Sequence, residues 1–325
     1  MSRLRLLSAS LCAAAAAAVT VDVAAQAYPA KPVRLIVGFA TGGGTDLLSR
    51  VIGSKLVDTW PHPFVVENRP GADGSIATEV VAKSAPDGYT LVMVANALTI
   101  TPFQRKLGYD PVKDLAPVTQ VASTPNLLLV HPTLPVRTVK ELVTLAKSRP
   151  GELTYGSSGT GTTPYLAMEL FKSMTGTKIV HVGYKGSGPA VIDLIGGHIQ
   201  LMFGAVSTTL LHVQANKMRA IAVSSPTRWA AVPQVPTVAE SGLPGFETAT
   251  WYGLLAPAGT PQAVITKLHA DVTATLRHPD VKAFAAKMGF EAIGNKPEEF
   301  AEVIRRDMQK WGKLIRSLPT AASPS

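Results

Sequence analysis

Cysteine is almost missing from this chain. The single one, Cys12, falls within the first 27 residues. Disulfides and thiol chemistry are therefore excluded from everything that follows. Charge is sparse too, at 16% of residues, against 46% hydrophobic. That balance excludes a disordered chain and suits a large buried core. The net charge is +9, but no five basic residues stand in a row. A nucleic-acid groove needs clustered cations with interleaved aromatics, so the excess reads as solvated surface and no nucleic-acid partner is expected. The patterns GxSxG, HExxH and CxxC do not occur, and no two of the seven histidines are four residues apart. Neither a metal site nor a cofactor is expected.

What is present begins with a leader. MSRLR supplies two arginines, LLSASLCAAAAAAV is short and weakly apolar, and Ala25-Gln26-Ala27 has the A-x-A form. Residues 1–27 read as a secretory signal peptide cut before Tyr28, too short for a good membrane span. Leu11 before Cys12 makes a poor lipoprotein site. An exported, cysteine-free globular protein fits a bacterial periplasm.

Short apolar runs then alternate with helical patterns. Strands are expected at 33–39, 64–68, 90–96, 126–132, 153–158, 179–184, 199–204, 219–225 and 252–258. Residues 45–57 place Leu47, Leu48, Val51, Ile52 and Leu56 on one helix face. Thr138 and Glu141 form a capping-box pattern. Thr260 and Pro261 sit where an N-cap and a first-turn proline belong. Beyond 258 only helices are expected, packing back on the first domain. The fold class is α/β, with the chain crossing between two domains near 126–132 and returning near 250–256. The tail 319–325 reads as disordered.

Three glycine-rich turns follow strands and precede helices. The first, GFATGGGTD (38–46), has the spacing of a phosphate loop, but Gly44 stands at the lysine position. The dinucleotide pattern fails at Leu47. Bare backbone and a helix N-terminus remain, which suit a carboxylate as well as a phosphate. The plain alternative is a tight turn capped by Thr45 or Asp46. The second turn, GSSGTGTT (156–163), offers Ser157, Ser158, Thr160, Thr162 and Thr163 as donors. The third is GYKGSGP (183–189). Elsewhere, His181 reads as a core histidine and His198 as solvated. Tyr165 reads equally as cleft or core, and Trp251 and Tyr252 as hinge packing or ligand wall. A hydrolase using Ser158 or Asp46 is the weakest alternative.

The ordered blocks YPAKPVRLIVGFATGGGTDLLSR, FVVENRPGADG, APDGYTL, YGSSGTGTTPYLAMELF, GYKGSGPAVIDLIGGHIQLMF, VPTVAESGLPGF and WYGLLAPAGTP run from Tyr28 to Pro261, within a likeness that extends to about Ile315. Through them the chain resembles the Bug family, the TctC-like solute receptors of tripartite tricarboxylate transporters. The resemblance implies a type II periplasmic binding-protein (Venus flytrap) fold, two α/β domains joined by two crossover strands. Residues 28–126 plus 251–318 would form domain I, and 127–250 domain II. It implies capture of a small carboxylate and delivery to a membrane permease, or alternatively docking on a sensor kinase. A monomer is expected. By position, Phe39, Ala40, Thr41, Gly43, Gly44 and Asp46 match the first binding loop. Ser157, Gly159, Thr160, Gly161 and Thr162 match the second, Tyr184 and Lys185 the third, and Asn96 and Ala97 end a strand aimed at the same cleft. Three departures stand out. Gly38 replaces the usual proline, Tyr165 a common histidine, and Gly204 a frequent aspartate. Tyr165 and Gly204 are kept as cleft candidates. ENRPGADG and APDGYT read as turn chemistry with no ligand role.

Overall fold

The computed structural model describes residues 28–317, so the expected leader and tail fall outside the described residues. In chain order the elements are β1 (Val33–Val37), α1 (Gly44–Leu56), β2 (Phe64–Asn68), α2 (Ser75–Ala82), β3 (Thr90–Ala95), α3 (Ala97–Ile100), β4 (Leu115–Val130), α4 (Val139–Ser148), β5 (Thr154–Ser157), α5 (Thr163–Thr175), β6 (Val180–Gly183), α6 (Ser187–Ile195), β7 (Leu201–Ala205), α7 (Val206–Gln214), β8 (Arg219–Val223), β9 (Ala249–Pro257), α8 (Gln262–Arg277), α9 (Pro279–Met288), β10 (Glu291–Ala292) and α10 (Pro297–Ser317).

Two sheets share β4. The first runs β2-β1-β3-β9-β4, with β10 on the outer edge of β4. The second places β8 and β7 on either side of β4, then β5 and β6. β1 shows why inner strands form. Val33, Leu35, Ile36 and Val37 are fully buried, so both faces of the strand meet a helix layer. Helix α1 buries Leu48, Ile52 and Leu56, spaced four apart, against that sheet. Truncating such a side chain costs about 2–5 kcal/mol.

Each sheet has its own cores. On the first, Leu48, Ile52, Leu268 and Val272 pack on Leu35 and Met93. The opposite face holds Ala77, Val81, Phe300 and Ile304 against Ile36 and Val92. On the second, Leu142 and Phe171 pack on Leu128, Tyr155 and Phe203. Ala190, Leu194 and Leu210 cover Leu127, Leu129 and Met202. A small cluster of Ile100, Leu166 and Trp311 bridges the two bodies. β4 pairs with β9 as far as Pro125–Ala249 and with β7 from Asn126 onward, so the chain changes sheets between Pro125 and Asn126.

Three expectations need correction. β4 begins at Leu115, not 126; its first half, LAPVTQVASTP, is too polar and proline-rich to read as a strand, and it pairs with β9 through two register shifts. A strand does follow residue 258, because β10 pairs with Ala122 and Ser123 of β4. Thr260 is not the cap of α8. Pro261 holds that position, and Thr260 Oγ1 donates instead to the Pro257 carbonyl at 2.8 Å. The Thr138 cap does form, accepting from the Glu141 N–H at 3.2 Å, while the Glu141 carboxylate reaches Arg137 N–H.

Candidate functional site: an uncharged cavity at four helix N-termini

A cavity of about 80 Å³ lies between the two sheets. The first body contributes Phe39, Gly43, Gly44 and Thr45 before and within α1, Ala95, Asn96 and Ala97 after β3, and Tyr252 of β9. The second contributes Ser158, Thr162, Thr163 and Pro164 at α5, Ser187 at α6, and Gly204, Ala205 and Thr208 at the β7–α7 junction. Helices α1, α5, α6 and α7 thus all begin at this wall. Their N-cap residues are Gly43, Thr162, Gly186 and Ala205, and none makes a side-chain capping bond. The first N–H groups of a helix have no intrahelical partner and carry partial positive charge. Four such ends, left uncapped, face one space. Thr163 adds a buried hydroxyl without a hydrogen-bond partner.

Among the described residues no Asp, Glu, Lys, Arg or His side chain lines this cavity. Its single titratable group is Tyr252, whose phenol burial pushes up to about 12, so it stays neutral. Glycine at 44 is what admits that ring. A Cβ there would lie 2.3 Å from the Tyr252 hydroxyl oxygen. A chamber of about 460 Å³ adjoins the cavity, sharing Gly43, Ser187 and Thr208 with it and also touching Ala40 and Thr41.

Several residues grouped by sequence have other surroundings. Asp46 sits in the first turn of α1 and faces away from the cavity. Its carboxylate accepts from Gly42 N–H at 3.0 Å, Arg50 Nε at 2.9 Å and Asn68 Nδ2 at 2.9 Å. Burial opposes its charge, but these donors outweigh burial and hold the carboxyl below its usual range. Ser157 is fully buried and its Oγ bonds His181 Nε2 at 2.7 Å. Tyr165 packs edge-on against that His181 ring, 4.8 Å between centroids, instead of lining the cavity. Tyr184 donates to Asp193 at 2.6 Å, and Lys185 is exposed beyond the wall. Asn96 borders the cavity, but its amide is committed elsewhere. Nδ2 donates to Asp307 at 3.0 Å and Oδ1 accepts from Trp251 N–H at 2.8 Å. Asp307 also accepts from Thr99 Oγ1 and Trp251 Nε1, which ties α10 to the crossing strand.

Gly159, Thr160 and Gly161 meet the first body outside the cavity. Gln104 Nε2 donates to Thr160 O at 2.7 Å. The Asp73 carboxylate, paired with Arg105 at 2.6 Å, lies against the Gly159–Gly161 backbone. A Cβ on Gly159 would meet Asp73 Oδ1 at 2.2 Å, and one on Gly161 would meet Oδ2 at 2.9 Å. Burial pushes the Asp73 carboxyl up; Arg105 and the Gly161 N–H only partly offset that. The ENRPGADG block, read as turn chemistry alone, therefore also holds the two bodies together. Gly38 helps: a Cβ there would come within 2.5 Å of Gly74 Cα, so glycine lets this loop approach.

Sequence reasoning reached the β7–α7 junction only at Gly204, which does line the cavity, and missed Ala205 and Thr208. Ala205 and Thr208 carry no glycine run, and the only signal was the switch from strand to helix at residues 205–206. Nor did it place Thr45 or Ser187 on the wall, although each lies in a quoted block; Ser158 and Thr163, offered as donors, and Tyr252, read as hinge packing or ligand wall, do line it.

Two α/β sheets joined by two chain crossings, with a cavity between them walled by helix starts, define a periplasmic binding-protein fold. The family described as the tripartite tricarboxylate transporter family receptor (TctC) matches residues 48–319. Protein BugT of Bordetella pertussis is 36% identical over 97% of this chain and 98% of its own. An R. palustris protein solved with adipate is 38% identical, covering 89% of this chain and 97% of its own, with a TM-score of 0.86. MatC from Rhodopseudomonas palustris, solved with bound malate, is 30% identical over 89% and 100%, with a TM-score of 0.83. The chain belongs to the TctC family of solute receptors, a family of binding proteins and not of enzymes. The Ser157–His181 pair is accordingly a structural contact. Among the described residues no group of His, Cys, Asp or Glu is placed to hold a metal, and no helix is long and apolar enough to cross a membrane.

Proposed function

We propose that this chain is a periplasmic receptor that captures a small carboxylate between its two bodies and hands it to the membrane permease of a tripartite tricarboxylate-type transporter. Residues 28–126 with 251–318 would move as one domain and 127–250 as the other, closing as a monomer around the ligand. The observation that carries this reading is the set of four uncapped helix N-termini on one cavity with no charged side chain. A carboxylate there would accept from backbone N–H groups and from Thr and Ser hydroxyls. Charge-assisted hydrogen bonds contribute roughly 1.5–3 kcal/mol each. Four give about 6–12 kcal/mol before ordering costs, and micromolar binding needs about 8. Adipate and malate in relatives support the ligand class, and the A-x-A leader supports export.

Gly43→Glu tests the reading. Gly43 has an ordinary φ of −78°, and a Cβ there meets only Ala40 O, at 3.5 Å. The variant therefore folds, while its carboxylate enters the cavity and repels the ligand. Mass spectrometry of small molecules released from the denatured wild-type protein should identify a carboxylate. Calorimetry with that acid should then show binding lost in Gly43→Glu. Retained affinity would remove the loop from the site.

A further inference from the structure

The inner cavity is small and the outer chamber is not. At about 80 Å³ the inner space seats a carboxylate and a few atoms, while the chamber beside it offers about 460 Å³. The chamber adjoins the helix starts at Gly43, Ser187 and Thr208, where the far end of a ligand held there by its carboxylate would find room. The walls there are apolar. Leu47 of α1, Val191 and Ile192 of α6, Leu211 of α7 and Met288 of α9 line it. Ile192 and Leu211 are 67% and 51% exposed, an unusual state for two large aliphatic side chains facing one opening. Among the described residues, His212 is the only histidine or charged side chain on the chamber.

We infer that the ligand is a monocarboxylate with an apolar arm, its carboxylate in the inner cavity and its arm against Leu47, Ile192, Leu211 and Met288. The inference rests on the carboxylate reading above and sharpens it. An aliphatic or aromatic arm would cover surface that is otherwise exposed to water. A second carboxylate would instead lie against the apolar side chains of Leu47, Ile192 and Leu211, with His212 as its one polar ring neighbour among the described residues that line the chamber.

Hexanoate and adipate make the test, because six carbons are common to both and only the far end differs. Titration calorimetry of the purified, ligand-stripped protein should show hexanoate, and 3-phenylpropanoate with it, binding at least tenfold tighter than adipate. Ile192→Asp and Leu211→Asp, both at exposed positions, should leave the melting temperature in place and weaken hexanoate about tenfold. Adipate binding as tightly as hexanoate would overturn the inference and leave the carboxylate reading standing. Hexanoate binding untouched by both aspartate variants would also overturn it, by removing the arm from the chamber. Binding of no acid in the panel, short or long, would overturn both.

Discussion

The loops 38–46 and 156–163 read alike as sequence, each a strand, a run of glycine and hydroxyl residues, and a helix. They do different things. In the first, Gly43, Gly44 and Thr45 lie on the cavity, and Gly44 makes room for Tyr252. In the second, Ser158, Thr162 and Thr163 lie on the cavity, but Gly159 and Gly161 turn outward to Asp73 of the other body. Glycine removes a Cβ in both cases. What approaches the bare backbone differs: a phenol from the same body in one loop, a carboxylate from the opposite body in the other. A glycine-rich turn thus marks a close approach without saying whose.

Alanine separates the two roles. Gly44→Ala would put a methyl 2.3 Å from the hydroxyl oxygen of Tyr252 and 2.6 Å from its Cζ, so a buried, rigid ring would have to shift as a whole. Overpacking of this kind costs about 1–3 kcal/mol, so the melting temperature should fall measurably. Gly161→Ala meets only the ends of the Asp73 and Thr101 side chains, each at 2.9 Å, across the gap between bodies. Its melting temperature should stay close to wild type while small-angle scattering shows a more open average shape. Equal melting losses in the two variants would erase the distinction.

Part of this is legible in the sequence alone. β1 and β3 announce themselves because strands buried on both faces must be apolar at consecutive positions. The glycine loops were visible for the same local reason. The rest depends on contacts far apart in the chain. The first half of β4 is a strand because β9 pairs with it, 124 residues away at Pro125–Ala249, and no propensity in LAPVTQVASTP says so. Asn96 looks like a ligand donor until Asp307 takes its amide. Tyr165 and Tyr184 stand next to the loops in sequence, but His181 and Asp193 hold them off the wall. Position along the motif located the loops; the packing around them decided which side chains face in.

The link between bodies can be weakened without touching the cavity. Asp73 adopts a left-handed φ of 56°, which asparagine tolerates, so Asp73→Asn keeps the turn and removes the charge that pairs with Arg105. The bond of this carboxylate that crosses between bodies is the one the Gly161 N–H donates, and replacing a charged acceptor by a neutral one weakens such a bond by about 1 kcal/mol. The Gln104–Thr160 bond and the Ile100–Leu166–Trp311 cluster remain. Closure and ligand affinity should therefore drop several-fold, about fivefold for 1 kcal/mol. An unchanged affinity would show that the second loop needs no help from Asp73.

The smallest effect belongs to Ser157, the second-loop residue that lies deepest. Its hydroxyl bonds His181 and touches no part of the cavity. Ser157→Ala should cost about 1 kcal/mol of stability, read by denaturant titration, and leave ligand affinity where it was. A pH series adds a control. Burial holds the His181 imidazole below its usual 6.5. Keeping it neutral stabilises the fold in full above about 6.5, and that contribution drains away as pH falls through the depressed value. Burial is the cause and the Ser157 bond is not, so the acid-side loss should persist in Ser157→Ala. A loss of ligand binding in this variant, with the fold intact, would return Ser157 to the site and make the two loops equivalent after all.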